Sequence, residues 1–199
     1  DTISDIFFNV IVTDENGAEI SFEQLTVKER LLDITIDATE EISVLDFARQ
    51  SIVYFRGGFI EFDKRLGAVI KYNVNGVDYI KTEPLKKKGM GSISTEIFRE
   101  PMANDDLIKD DWYKAEYHNF KLKTEDFDII KEDNLVYVIV KIDFVNSKGD
   151  IMFIARDRYT VHANGRLDID CSLEAKLKGL PPLPRFGKQI QMQYDFQLV

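Results

Sequence analysis

The sequence predicts an all-β protein, an antiparallel β-sandwich, and three observations lead to that prediction. Apolar and polar residues alternate with a period of two over several long segments, which is typical of strands with one buried face. Turn signals such as Asn75-Gly76 and Asn164-Gly165 separate strand-like segments at hairpin spacing. Helical periodicity is scarce. We therefore expect about ten strands and little helix.

The composition is that of a packed globular domain. The 199 residues are 44% hydrophobic and 12% aromatic, which excludes disorder as the main state. The net charge of −9 offers no basic face for phosphates, so nucleic acid and anionic membranes are excluded as partners. No apolar run approaches the ~20 residues of a membrane helix. We expect a soluble chain in the cytoplasm.

The N-terminal segment differs in character from the rest. The stretch from Leu25 to Ser43 is polar and charged between strand-like segments. This shift predicts a domain boundary, with residues 1–45 belonging to a preceding unit and its connector and residues 46–199 forming the second unit.

The middle of the chain predicts one hairpin and one helix. Asn75-Gly76 lies between AVIKYNV and VDYIK, and both residues tolerate the positive φ angles of a two-residue turn. Residues 105–120 predict a short helix with acidic residues at its start. Its predicted apolar stripe contains Leu107, Ile108, Trp112 and Ala115.

The C-terminal third predicts a meander. The segments LVYVIVKIDFV and IMFIARDRYTV are joined by Asn146–Asp150, a turn composition. Alternation then predicts a half-buried strand over residues 166–177 and another over 189–198. Because a strand that reaches a chain end needs a neighbour, we expect the natural polypeptide to continue past Val199.

Few side chains suggest chemistry. Asp105, Asp106, Asp110 and Asp111 fit a helix N-terminus better than a cation site, since they lack the spacing of a calcium loop. Cys171 lies on the apolar face of its strand and is expected to be a core thiol. His118 and His162 lack a nucleophile context, and Lys86–Lys88 predict a solvated loop.

Trp112 has two interpretations. It is the one tryptophan, and its ring could stack on the apolar face of a sugar. More often such a residue anchors a loop to the core. No catalytic set is visible in the residues themselves.

Several motifs, in order along the chain, resemble the last large β domain of family 2 β-galactosidases. Phe62–Gly67 with Tyr72–Gly76 and Glu83–Leu85 is similar to its FDKxxG, YxxNG and PLR succession. Phe98–Asp105 resembles FxRAPxDND, and Trp112 with Ala115 resembles WxxAG. Two further stretches resemble YxIxxxG and LPxLPRxG: Tyr159–Gly165 and Leu180–Gly187.

The resemblance extends to both predicted units. Gly17–Leu25 is similar to GHEIAWEQF at the end of the preceding immunoglobulin-like domain. Residues 1–45 would then be the tail of that sandwich and its connector. Residues 46–199 would be the N-terminal part of the terminal supersandwich, the region also found as a separate small chain.

The resemblance implies a non-catalytic role. Both catalytic glutamates of the family lie on a TIM barrel, and no position here matches them, so this chain alone is expected to be inactive. A retaining glycosidase needs two carboxyl groups about 5–5.5 Å apart. The region would support domain packing and the rim of the galactoside pocket, with the rim candidates Arg99, Pro101, Asn104, Asp105 and Trp112.

Two departures from the motif weaken a carboxylate role at the rim. Glu100 replaces its Ala and Ala103 replaces its first Asp. The resemblance implies no cofactor in this chain, whereas the parent family often uses Mg²⁺ and Na⁺ at sites elsewhere. The implied partners are the remaining domains of the parent enzyme and, through it, a galactoside. An independent carbohydrate-binding module is the alternative, and an interaction domain of an adhesin fits the motif order less well.

Overall fold

The structure, a computed structural model, describes residues 6–28, 41–81 and 90–193. The chain divides into two compact units, Asp1–Thr35 and Ile36–Val199. In the first unit, β1 (Ile6–Thr13) and β2 (Glu19–Lys28) pair as an antiparallel hairpin. Its assignment to an immunoglobulin-like sandwich stays a prediction.

The predicted boundary near residue 45 falls within a strand of the second unit. β3 (Ser43–Asp46) pairs with β4 (Gln50–Phe55), and Ile42 belongs to the core of this unit. Because β3 is an edge strand with mostly exposed side chains, its composition does not distinguish it from a connector.

One sheet of the second unit has seven strands. Its order is β13-β8-β6-β5-β4-β3, with β7 paired to β6 outside this path, and all pairs are antiparallel. The other members of this sheet are β5 (Gly58–Asp63), β6 (Ala68–Val74), β7 (Val77–Asp78), β8 (Ile93–Glu96) and β13 (Gly187–Ile190).

The other sheet is a four-stranded antiparallel meander in the order β12-β11-β10-β9. Its strands are β9 (Lys121–Glu132), β10 (Leu135–Val145), β11 (Ile151–His162) and β12 (Leu167–Ala175). The predicted meander is confirmed. The described residues contain thirteen strands in all, three more than expected.

The two sheets of the second unit face each other across one hydrophobic core. Phe62 on β5 meets Tyr159 on β11 edge-on, with ring centroids 5.4 Å apart, and meets Phe127 on β9 at 6.3 Å. Aromatic pairs in this geometry stabilise a core beyond their buried area. The predicted antiparallel all-β sandwich is confirmed.

The helix is shorter than predicted. A 3₁₀ turn (Ala103–Asp105) is followed by α1 (Lys109–Lys114), not by one helix over 105–120. Trp112 is buried, and Ile108 and Ala115 pack partly against the core. Leu107 is fully exposed. It lies in the turn before α1, so it is not part of the apolar stripe that was predicted for a longer helix.

The predicted turns are confirmed by their backbone angles. Asn75 and Gly76 both have positive φ, 52° and 83°, between β6 and β7. Gly149 has φ 92° in the turn between β10 and β11, and Gly165 has φ 87° in the turn between β11 and β12. Lys86–Lys88, Glu83–Leu85 and positions 194–198 of the last predicted strand lie outside the described residues.

Cys171 departs from its predicted core position. The inward-facing residues of β12 are only half-buried, and Cys171 is among them. β12 is the edge strand of its sheet, so the opposite sheet covers it incompletely. Ala175 is exposed, and Leu177 lies beyond the end of the strand.

Candidate functional site

The chain turns away from the sheet at the end of β8. The carboxylate of Glu96 accepts hydrogen bonds from the backbone N–H groups of Ile97 and Phe98, at 3.1 and 3.0 Å. Glu96, Ile97 and Phe98 are all buried. This buried carboxylate accepts two backbone N–H groups that have no strand partner after the end of β8. It therefore fixes where the next segment starts.

Arg99 and Asp105 close that segment into a loop. The guanidinium donates to both carboxylate oxygens of Asp105, at 2.5 and 2.9 Å, and to the backbone carbonyl of Glu100 at 3.2 Å. Asp105 also accepts the backbone N–H of Met102 at 2.7 Å. A bidentate arginine–carboxylate pair fixes geometry as well as charge. We call residues 99–105 the clamped loop.

The clamp shifts the pKa values of both partners. The hydrogen bond from Arg99, followed by that from the Met102 backbone, lowers the pKa of the Asp105 carboxyl. The Asp105 hydrogen bond raises the pKa of Arg99. Both groups therefore stay charged across the neutral range, and the pair does not act as a proton donor or acceptor there.

Trp112 joins the clamped loop to a second loop. The guanidinium carbon of Arg99 lies 5.5 Å from the Trp112 ring centroid, within cation–π range. The indole N–H donates to the carbonyl of Pro182 at 2.8 Å, and the Tyr117 hydroxyl donates to the carbonyl of Pro181 at 2.7 Å. Two neighbouring motifs therefore meet a third that lies about 70 residues further along the chain.

These contacts decide between the two interpretations of Trp112. Its side chain is 3% exposed, and its one polar atom is bonded within the protein. Trp112 anchors a loop in this structure, and its buried ring offers no open face for a sugar.

The remaining predicted rim residues take no part in the clamp. Pro101 is half-buried, and Asn104 is exposed at the tip of the loop. Met102 and Leu107 are exposed apolar residues beside them, at 59% and 100%. The structure thus brings together Arg99, Asp105 and Trp112 but leaves Pro101 and Asn104 at the surface.

The acidic group divides into separate pairs. Asp105 belongs to the clamp, whereas Asp106 pairs with Lys109 at 2.5 Å and Asp111 with Lys114 at 3.2 Å. Asp110 and Asp111 lie in the first turn of α1, where negative charge is favourable. Exposed pairs of this kind contribute little stability.

A buried polar cluster was missed at the sequence level. The ammonium group of Lys188 on β13 donates to Thr95 at 2.7 Å, to the Tyr159 hydroxyl at 3.2 Å and to the Asp157 carboxylate. Thr95 also donates to Asp157 at 2.8 Å. Asp157 is fully buried, and its other carboxylate oxygen has no hydrogen-bond partner among the described residues. We call these four residues the Lys188 cluster.

Burial dominates the ionisation of this cluster. Desolvation lowers the pKa of Lys188 although Asp157 opposes the shift, and it raises the pKa of Tyr159 well above the ordinary value. In the sequence, a single lysine beside a strand-like pattern is only a weak indication of a buried polar cluster. The pairing of Lys188 with Thr95, 93 residues apart, becomes visible only in the fold.

The two histidines lie apart. His162, at the end of β11, contacts Asp168 at 2.8 Å, and Arg166 contacts the other oxygen of the same carboxylate at 2.7 Å. His118 is exposed beside Tyr113. Among the described residues, no group of three or more histidine, cysteine or acidic side chains is arranged to hold a metal ion.

The cavities lined by described residues of the second unit include the following two. One, of about 300 Å³, is apolar and lies between the sheets near Tyr72, Ile169 and Met192. The other, of about 570 Å³, lies between α1 and Gly179–Pro182, with Asp111 as its one lining carboxylate. No helix in the described part of the chain has the length and apolar character of a membrane span.

Comparison with known proteins gives one family and one curated relative. The family model described as beta galactosidase small chain matches residues 57–199. A β-galactosidase from Staphylococcus xylosus is 25% identical over 187 residues, which cover 91% of this chain. The chain spans 18% of the length of that relative.

Proposed function

Because the chain belongs to the β-galactosidase small-chain family, we propose that it is a non-catalytic structural region of a larger enzyme that hydrolyses terminal β-galactosides. The observation that carries the proposal is the match over residues 57–199, together with a relative more than five times longer. The remaining domains of the parent enzyme are the proposed partners, and a galactoside is a substrate only through the parent.

The geometry supports a structural role. The Asp105 carboxylate is bonded to the Arg99 guanidinium and to the backbone N–H of Met102, and Arg99 holds it in its charged form. A retaining glycosidase needs one carboxyl group that stays protonated and a second that attacks. A clamped Asp105 fits neither task.

The clamped loop is the part we assign to the pocket rim. Its backbone is fixed at both ends by Arg99 and Asp105, and Trp112 ties it to the loop at Pro182. Asn104 and Met102 project from this rigid base with exposed side chains. A rigid loop with exposed tips suits contact with a neighbouring domain or with the entrance of a pocket.

Hydrolysis of a chromogenic β-galactoside tests the non-catalytic role. We expect no turnover by this chain over a wide range of protein concentration, with a complete β-galactosidase as the positive control. Turnover that disappears on a single substitution in this chain would show that the reactive groups lie here and would overturn the proposal.

The rim assignment is tested in the complete parent enzyme. Arg99→Ala releases the clamped loop, and we expect the KM for a galactoside to rise several-fold. Arg158→Ala is the matched control, since Arg158 pairs with Asp170 on an exposed face of β11. Equal kinetics for Arg99→Ala and the wild type would remove the clamped loop from the rim.

A further inference from the structure

An aromatic group lies on the surface next to the clamped loop. Tyr113 follows the buried Trp112 on α1 but is 39% exposed. Its ring meets the buried Phe98 edge-on at 6.0 Å and the exposed His118 at 5.0 Å. Phe98 and His118 are themselves 6.1 Å apart, so the three rings contact one another pairwise.

A carboxylate from the clamped loop fixes the tyrosine. The Tyr113 hydroxyl donates to Glu100 at 3.3 Å, and Glu100 follows Arg99 directly. Glu100 is itself exposed. The Tyr113 ring is therefore held by two ring contacts and one hydrogen bond while part of its surface faces water. Little side-chain freedom is left to lose on binding a ligand.

These groups have the chemistry that recognises a pyranose. A sugar ring has one face rich in C–H groups, which matches an aromatic surface, and hydroxyls at its edge that need donors and acceptors. Glu100 supplies acceptor oxygens, and the His118 imidazole supplies both a donor and an acceptor. Both lie in contact with the Tyr113 side chain.

We propose that Tyr113, Glu100 and His118 form a galactoside-contacting surface site on the outer side of the clamped loop. The choice of galactoside rests on the proposed function. None of the three residues is a rim candidate. Glu100 departs from the family motif, and Tyr113 lies next to the candidate Trp112. A single exposed face predicts weak binding, with a Kd on the order of millimolar.

Titration of the 199-residue chain with lactose tests the site. The readouts are the ring signals of Tyr113 and His118 in ¹H–¹³C NMR, with inositol as a polyol control. We expect saturable shifts with lactose and none with inositol. Tyr113→Ala should weaken binding about tenfold, whereas Tyr113→Phe keeps the ring and should retain most of the affinity.

Tyr54→Ala is the matched control. Tyr54 has nearly the same exposure, 38%, and a ring neighbour, Phe59, at 5.7 Å, and both lie on the seven-stranded sheet, away from α1. We expect it to bind lactose like the wild type, and melting curves of both alanine variants check that each is folded. Absence of saturable shifts, or equal affinity for folded Tyr113→Ala and the wild type, overturns the proposal.

The result is distinguishable from that of the turnover test. If the chain neither binds lactose nor hydrolyses a galactoside, the surface site is overturned and the proposed structural role still stands. A chain that hydrolyses the substrate loses the structural role whatever the titration shows.

Discussion

At the scale of single residues, Gly165 is a position where a side chain is poorly tolerated. It lies between β11 and β12 with φ 87°, and its carbonyl accepts the Tyr72 hydroxyl at 2.5 Å. An added Cβ would lie 2.6 Å from the Phe55 ring. Two penalties therefore coincide at this glycine, backbone strain and overlap with a core ring.

We expect Gly165→Ala to lower the free energy of unfolding by about 3 kcal/mol, the sum of a left-handed backbone and an overpacked core. Gly76→Ala is the control, because Gly76 has φ 83° and open space around it. It should cost only about 1 kcal/mol. Urea unfolding measures both, and equal losses would show that the Phe55 contact is unimportant.

The lowered pKa of Asp105 predicts that the stability of the fold depends on pH. Its pKa is lowered below 3.8 in the folded chain, mainly by Arg99. A carboxyl of this kind stabilises the fold above its unfolded pKa, and the contribution is lost as the pH falls through the folded pKa. Asp105→Asn should therefore reduce stability at neutral pH and flatten its loss in acid.

Urea unfolding at neutral pH and at about pH 3.5 measures this difference. Asp110→Asn is the control, since Asp110 is an exposed carboxyl on the same segment. It should leave the neutral stability and the acid slope close to those of the wild type. An unchanged slope for Asp105→Asn would mean that Arg99 does not hold the carboxylate in solution.

At the scale of secondary-structure elements, the Lys188 cluster holds β13 in place. β13 has four residues and, among the strands that the structure describes, pairs only with β8; its Ile190 is exposed. Lys188 reaches across the core to Asp157 on the other sheet. A buried pair of this kind specifies register more than it adds stability, since desolvation opposes its attraction.

Lys188→Met should lower the free energy of unfolding by about 3–5 kcal/mol, because it leaves Asp157 charged and buried without its partner. The double variant Lys188→Met with Asp157→Leu should recover most of that loss. Chemical denaturation of the two single variants and the double variant measures the coupling. A double variant as unstable as the sum of the single ones would show that the two residues act independently.

The strands also show what the sequence could predict. In β10, the β-branched and aromatic composition and the turn that follows predict the strand, and the structure shows a buried residue alternating with a less buried one from Val136 to Ile142. In β9 the register slips, because Lys141 pairs with Asp126 while Ile142 pairs with Thr124. Glu125 is the extra residue of this bulge. The inward-facing apolar residues therefore change from an even-numbered position, Leu122, to an odd-numbered one, Phe127. The alternation is broken, so β9 was missed.

The candidate site was predictable only in part. Arg99, Asp105 and Trp112 stand in local motifs, and the structure brings them together. Lys188 and Thr95 meet because β13 pairs with β8 across a long stretch of chain. β8 has four consecutive buried residues, so its period-two signal is absent. Interactions set by long-range pairing are not encoded in any local pattern.

At the scale of the whole molecule, the division into two units predicts independent stability of the second. All buried core residues of the described chain lie between Ile42 and Ala163. The hairpin of β1 and β2 has exposed apolar residues, among them Phe8, Ile20 and Leu25. A two-stranded hairpin is marginal in water by itself.

A variant that begins at Ile36 should unfold cooperatively, with a melting temperature within about 3 °C of that of the full chain. A variant that ends at Arg185 is the contrasting control, because it removes β13 and the Lys188 ammonium group from Asp157. It should melt at least about 10 °C lower. Calorimetry distinguishes the two variants. The first truncation removes the first unit, whereas the second opens the core between the two sheets of the second unit. If loss of the first unit destabilised the protein as much as loss of β13, the two units would form one cooperative structure.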